Sequence, residues 1–317
     1  MSARLRVAVT GASGFCGGHV ARAAVAAGAD VVCLGRRPGH TGEFRFWDAA
    51  SGAPDLTGVD QVVHCAAAVG DPAPGSPAEA RMHAVNVAGT VRLLEAAGER
   101  PVVWMSSASV YDPRASRALV REDHPRSGHL NAYGRTKAAG DALALAAGAV
   151  VLRPRAVYGP GDTQLLPRLL SRVRAGTLLL PGPDVRLSLT AVENLADACL
   201  AAAGWPPGAY NIADPEPYGR DAAVRAVLRA HGVAARIRHL PPALATAAAR
   251  VTEGAARLTR TEPVLSRYAV DQLAHSVVLD VTRARARGWQ PGRTLADYLA
   301  AGCGAGAEAP PPHRPFP

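Results

Sequence analysis

The sequence predicts an α/β fold: a doubly wound parallel sheet with a smaller, mainly helical C-terminal lobe. Three observations carry that expectation. Short apolar runs of strand length alternate with alanine-rich helical stretches through the first half, a glycine turn joins the first run to the first helix, and the cadence loosens after Pro160. Strands that are apolar on both faces and separated by helices belong to a parallel sheet covered on both sides, since a half-solvated strand would alternate apolar and polar residues.

In chain order, residues 5–10 (LRVAVT) form the first strand, the turn Gly11-Ala12-Ser13-Gly14-Phe15-Cys16-Gly17 follows, and 19–27 is helical. Residues 30–34, 61–65, 102–105 and 150–152 repeat the strand pattern, and 84–97 and 132–147 are helices. Beyond residue 160, helices are expected over 165–175, 192–203, 221–231, 242–258 and 294–301, with short strands at 178–180 and 186–190. The tail 304–317, rich in Gly, Ala and Pro, has too few apolar side chains to offset its ordering entropy and is expected to be disordered.

With 317 residues, 48% of them hydrophobic, the chain can fill one or two sizeable cores. Aromatics are only 5% and glycine numbers 32, so its helices must pack closely through small side chains. No run approaches the roughly 18 consecutive apolar residues of a membrane span, and the N-terminus leads straight into a strand rather than a signal peptide. A cytoplasmic protein without membrane association is expected. Cys16, Cys33, Cys65, Cys199 and Cys303 form no CxxC pair, and no histidines stand at HxxxH or HExxH spacing. The thiols therefore read as buried and free, and metal chemistry has no support. The net charge of +9 comes from arginines spread along the chain, without the aromatic-interleaved stripe that nucleic acid would need. Such a surface favours small anionic ligands, phosphorylated cofactors among them.

Glycines at 11, 14 and 17, between a strand and a helix, allow the backbone to turn sharply and approach a pyrophosphate, at which the helix N-terminal amides point. In an NAD-binding unit an acid about 20 residues on holds the adenosine ribose. Here Gly35 stands in its place and Arg36 and Arg37 follow, which suits a 2′-phosphate. NADP(H) is favoured over NAD(H). The expected division is a dinucleotide-binding Rossmann domain over 1–160, to which 186–203 returns, and a substrate lobe formed by 161–185 and 204–303.

The chain contains a single lysine, Lys137, four residues after Tyr133. On a helix the two share a face. An ammonium beside a phenol favours the phenolate, whereas burial alone disfavours it, so the pair is expected to lower the Tyr133 pKa.

These features, with six ordered motifs, give a chain that resembles the extended short-chain dehydrogenase/reductase family, also described as NAD-dependent epimerase/dehydratase-like, over about residues 5–299. The motifs are TGASGFCG at 10–17, DQVVHCAA at 60–67, NVAGT at 86–90, MSSASVY at 105–111, Tyr133-x-x-x-Lys137, and LRP at 152–154 through YGPG at 158–161. The resemblance implies Ser107 as the serine that hydrogen-bonds the reacting oxygen, Tyr133 as general acid or base, and Lys137 as holder of the nicotinamide ribose. It implies cofactor contacts from Gly11, Ser13, Gly14, Phe15, Cys16, Gly17, Asp48, Ala66, Ala67 and Pro154, besides Tyr133 and Lys137. Asn86 matches a structural asparagine beneath the site, and Ser106 and Ser109 are expected to make local backbone contacts. Relatives often form homodimers through the helices at 84–97 and 132–147.

Within the family, Ala108-Ser109-Val110 after Ser107 lacks the acidic pair of the sugar-nucleotide dehydratases. Val192-Glu193-Asn194-Leu195-Ala196 resembles the 3β-hydroxysteroid dehydrogenase-like branch, as do residues 263–268, 279–284 and 288–291. The leading expectation is an NADPH-dependent ketoreductase acting on a small, biosynthetic carbonyl compound. One alternative is a sugar-nucleotide epimerase or sugar ketoreductase, with Arg186 and Asn211 on the substrate; a remote one is a non-enzymatic NADP(H)-binding regulator. Trp205, Tyr210, Tyr218 and Tyr268 are candidate pocket-lining residues, with core packing as their competing fate.

Overall fold

Val7 and Val9 point to one side of the first strand and Ala8 to the other, and all three are buried. That period of two places helices on both faces of the sheet. In the computed structural model, which describes residues 4–259 and 261–302, the sheet has seven parallel strands: β1 (Arg6–Thr10), β2 (Asp30–Gly35), β3 (Glu43–Phe46), β4 (Gln61–His64), β5 (Val102–Met105), β6 (Val150–Pro154) and a seventh, Gly208–Ile212. Their spatial order is β3-β2-β1-β4-β5-β6 and then the seventh. The order reverses between β1 and β4, and a crevice at such a switch point is where open α/β sheets bind ligands. Cys303 and the tail 304–317 lie outside the described residues.

On the Val7 and Val9 face lie α1 (Phe15–Ala26) and α6 (Val192–Ala201), meeting through Ala21, Ala24, Ala198 and Cys199. On the Ala8 face, Leu93 and Ala97 of α3 (Gly89–Ala97) and Ala144 of α4 (Ala132–Ala146) cover Val32, Val62 and Val151. Gly140 has a specific task in α4: a Cβ there would stand 2.7 Å from the Trp104 ring and 2.8 Å from the Asn86 carbonyl.

Several elements depart from the expected ones. The helix expected over 84–97 begins earlier, as α2 (Pro77–His83), where Ser76 Oγ accepts from the Glu79 amide. It passes through a π-helical turn at Ala84–Ala88 into α3. Over 165–175 only α5 (Leu165–Leu170) is helical, and the chain reverses further on at Ala175 and Gly176, with φ of +47° and +67°. The stretch 186–190 resolves into two short strands, Arg186–Leu187 and Thr190–Ala191. The segment 204–303 was expected in the lobe as a whole, yet its residues Gly208–Ile212 pair with β6 in the main sheet. Asn211 interrupts the apolar pattern there. It is tolerated because its amide donates to the Val120 and Asp280 carbonyls and its oxygen accepts from Tyr111.

The lobe is built from α7 (Arg220–Ala230), α8 (Pro242–Thr259), α9 (Arg267–Ala274) and a parallel pair, Thr177–Pro181 with Arg236–Leu240. Among the described residues no helix is long and apolar enough to cross a membrane.

Candidate active site

The carboxyl ends of β1, β4, β5 and β6 bring the candidate residues to one edge. Gly11 takes φ +69°, and a Cβ on it would lie 2.9 Å from the Ala66 backbone. A Cβ on Gly17 would come within 2.4 Å of the Gly11 carbonyl oxygen. Gly14 caps α1 without a side chain, leaving the first amides of a 12-residue helix open to an anion. Thr10 fastens the two strands at the switch point: its hydroxyl accepts from the Ala66 amide at 3.0 Å and pairs with His64 Nδ1 at 2.8 Å. Burial, helped by the Lys137 charge, pushes His64 down to about 3, so this ring is neutral. A cradle with no room for side chains and with free helix amides fits a dinucleotide pyrophosphate.

Arg36 and Arg37 leave the end of β2 exposed. Asp48 follows β3. Its carboxyl accepts from the Ala50 amide at 3.0 Å, which holds it below the usual carboxylate range with help from Arg81 and Arg36. The two expected adenosine contacts, Arg36 and Asp48, thus lie within electrostatic reach of each other. Phe15 turns its ring edge onto His19, whose Nε2 bonds the Pro160 carbonyl at 2.9 Å. Ser13 and Ala67 are partly exposed at the crevice and Pro154 is buried at the end of β6. Burial pushes the Cys16 thiol up to about 12, which makes it a poor nucleophile. Cys16, Cys33, Cys65 and Cys199 are all free.

Helix α4 starts at Asn131, whose side chain accepts from the Gly134 amide at 2.9 Å, and carries Tyr133 and Lys137 one turn apart. Ser107 stands near enough to the Tyr133 phenol to favour its ionised form, and its hydroxyl accepts from the Ser109 amide at 3.2 Å. Lys137, only 3% exposed, donates to the Met105 carbonyl and lies 3.9 Å over the Trp104 ring. The expected acidification of Tyr133 by Lys137 is corrected here. Burial pushes the phenol well above its ordinary value, Tyr268 adds to the rise, and Ser107 is what opposes it. Lys137 is itself pushed down to about 7 by burial, against the pull of Asp141.

That shift has a measurable sign. A lysine of ordinary value 10.5 held near 7 in the fold binds fewer protons folded than unfolded between those values, so stability rises with pH across that window. Without added nucleotide, the wild type should gain thermal stability from pH 7 to 10 relative to Lys137→Met. A constant difference between their melting curves across this range would contradict it.

Asn86, fully buried in the π-helical turn, accepts from the Ala68 amide at 2.7 Å and donates to the Ala68 carbonyl at 2.9 Å and to Thr136 at 3.1 Å. It ties the loop after β4 to α4. Ser106 does not make the local backbone contact expected of it: its hydroxyl donates to Asp141 at 2.6 Å. The Ser109 hydroxyl is buried without a partner among the described residues.

The structure also sorts the substrate candidates. Asn211 is consumed by the bonds described above, and Arg186 is exposed on a short strand. Trp205 and Tyr210 stack in the core, and Tyr218 donates to Asp214 at 3.0 Å and accepts from the Leu295 amide. Tyr268 alone of the four interacts electrostatically with Tyr133. Sequence reasoning missed Asp71, whose carboxyl is raised by burial against the opposing influence of Ser266 and Asn131, and Arg155 directly after Pro154. The legible signal was an arginine closing an apolar strand.

A parallel sheet in this order, with a side-chain-free cradle at its switch point and a serine–tyrosine pair beside it, defines a dinucleotide-dependent enzyme working on hydroxyl and keto groups. The sequence profile of the NAD dependent epimerase/dehydratase family matches residues 7–213, and the chain belongs to that family. It is 31% identical over 297 residues to a 2-alkyl-3-oxoalkanoate reductase of Stenotrophomonas maltophilia, covering 85% of this chain and 89% of the relative. It is 29% identical over 305 residues to the 4-hydroxy-2-methyl-3-oxo-4-farnesyl-3,4-dihydroquinoline-1-oxide ketoreductase of Stigmatella aurantiaca, covering 89% and 90%. Among solved structures, MoeE5 in complex with UDP-glucuronic acid and NAD superposes with a TM-score of 0.71 at 25% identity, covering 94% of this chain and 97% of the other.

Proposed function

We propose that the protein is an NADPH-dependent ketoreductase, with Ser107, Tyr133 and Lys137 as its catalytic side chains. The observation that carries this reading is the placement of Ser107 beside Tyr133 at the sheet edge that holds the glycine cradle, where burial favours the protonated phenol. A protonated phenol can act as the general acid that carbonyl reduction needs. Tyr133 delivers its proton to the carbonyl oxygen as Ser107 holds that oxygen. Lys137 holds the ribose hydroxyls next to the nicotinamide. Gly11, Gly14 and Gly17 admit the pyrophosphate, and Phe15, Cys16, Ala66, Ala67 and Pro154 wall the cofactor. The reduced nicotinamide, when bound, supplies the hydride to the carbonyl carbon. Both curated relatives described above are named as ketone-reducing enzymes, which supports the same reaction here.

The preference for NADPH rests on Gly35 standing where an acid would hold the ribose of NAD, with Arg36 and Arg37 directly after it. Arg36→Asp should raise KM for NADPH about 10- to 100-fold while leaving KM for NADH little changed. Equal effects on both would remove the assignment. A sugar-nucleotide epimerase is the second reading, supported by the likeness to MoeE5 with its UDP-sugar acid and NAD. Purified protein carrying tightly held NAD, with no net oxidation or reduction of added carbonyls, would favour it.

A cytoplasmic location and a homodimer belong to the leading reading. Free thiols suit a reducing compartment. A groove between α2 and α4, lined by Glu79, His83, Ala132 and Arg135, lies on the face through which relatives often pair.

A further inference from the structure

Lys137 is 3% exposed, and burial of an ammonium favours its neutral form, which pushes the lysine down to about 7. Among the described residues no carboxylate pairs with it. Asp141, one turn further along α4, pulls the other way, but its oxygens are taken by Arg153, Arg126 and Ser106. From the other elements, Cys16 of α1, Cys65 after β4 and the neutral His64 ring lie within electrostatic reach, and none of them is a counter-ion in contact. Buried charges are ordinarily paired, so something else must support this one. What the ammonium touches is the Met105 carbonyl and, 3.9 Å from its nitrogen, the centre of the Trp104 ring.

Trp104 lies on β5, three residues before Ser107, on the sheet face that α4 covers. It is 1% exposed, and its Nε1 donates to Thr90 Oγ1 at 3.3 Å, which fixes the plane of the indole. The His64 ring stacks on it with centroids 6.2 Å apart. On α4 the residue three after Lys137 is Gly140, where a Cβ would stand 2.7 Å from the indole, so a glycine there is what leaves the ring its place beside the ammonium. Of the aromatic faces, indole attracts a cation most, and the attraction grows where water is excluded. The Met105 carbonyl can accept from an amine or an ammonium, whereas the ring face attracts the charged form. We infer that Trp104 is a positioning residue that stands in for the missing counter-ion, keeping the Lys137 ammonium charged and in place while it holds the nicotinamide ribose. The inference rests on the reading of Lys137 as the ribose holder.

Because the chain has a single lysine, isotope-labelled lysine reports Lys137 alone in an NMR titration. In the nucleotide-free wild type its Hε protons should be shifted upfield by the indole ring current, and in Trp104→Leu they should return to the ordinary position. The titration midpoint of that signal should fall by about one pH unit in Trp104→Leu, a roughly tenfold change in the balance of charged and neutral lysine, as expected on losing a desolvated cation–π contact. Trp104→Phe, which keeps a smaller ring and fills more of the same space, should give a smaller fall and carries the test if the leucine variant does not fold. The dissociation constant of NADPH should rise about 10-fold in Trp104→Leu, and it should not rise further when that substitution is added to Lys137→Met. An unshifted wild-type signal, a midpoint that neither variant moves, or an equal loss of affinity in the wild-type and Lys137→Met backgrounds overturns the inference, since an indole that merely filled space would act without the lysine. NADPH binding that Lys137→Met leaves unchanged would instead end the ribose reading, with the titration still deciding whether Trp104 sets the charge.

Discussion

Tyr133→Phe is expected to lower single-turnover hydride transfer by about 10²- to 10⁴-fold, the range for losing a positioned general acid. Its effect on the dissociation constant of NADPH should be small. The substitution removes one oxygen. The ring stays in its place on α4, the Asn131 cap is untouched, and the glycine cradle lies on other elements. Binding and proton transfer should therefore separate cleanly in the two measurements. Burial keeps the phenol protonated well past its ordinary value, so loss of the phenolic proton itself should lower the wild-type reduction rate only in alkali. A near-normal rate in the variant would mean that another group delivers the proton. Asp71 is the next candidate, since burial raises its carboxyl and it neighbours Tyr268, which in turn acts on Tyr133.

What was legible in the sequence and what was not divide along physical lines. The glycine turn and the Tyr133–Lys137 spacing depend on backbone conformation and helical period, which a few neighbouring residues determine, and the structure places both at one sheet edge. The seventh strand, Gly208–Ile212, was missed because its asparagine is made tolerable by Tyr111, Val120 and Asp280, partners that lie up to 100 residues away. Strand β3 left no signal in the residue pattern for the opposite reason: it is an exposed edge with no apolar run. The Tyr133 environment could be located but not signed. Spacing shows that an ammonium shares its face, whereas the balance between that charge and burial depends on where Lys137 points, and it points to Met105 and Trp104. Arg155 left a visible sign, an arginine after an apolar strand, but nothing in a linear pattern says that Arg117 already holds Asp271.

The same dependence on distant partners makes Asp141→Asn the most destabilising substitution expected, at about 3–5 kcal/mol. Asp141 is fully buried on α4, one turn after Lys137, and its carboxylate accepts from Arg153 Nε at 2.9 Å, Arg153 Nη2 at 2.8 Å, Arg126 at 2.7 Å and Ser106 at 2.6 Å. Burial works against the ionised form, but the Arg153 and Ser106 bonds hold the carboxyl below its ordinary range. An amide in its place cannot accept from all four donors, and it leaves the Arg153 guanidinium buried and uncompensated. Arg153 keeps its bonds to Tyr111 and the Glu122 carbonyl, which are neutral. Urea denaturation should therefore give a much lower midpoint for Asp141→Asn. Adding Arg153→Met to that variant should recover part of the loss, because the stranded cation is then gone. Equal stability of wild type and Asp141→Asn would show that the network contributes nothing. A site effect should accompany the loss: among the residues that Asp141 binds or neighbours, Ser106 and Arg153 adjoin Ser107 and Pro154 in the chain, and Lys137 is the lysine proposed to hold the ribose. Even at temperatures where Asp141→Asn is fully folded, its kcat should fall, because the bonds that align β5, β6 and α4 beneath Tyr133 are the ones removed.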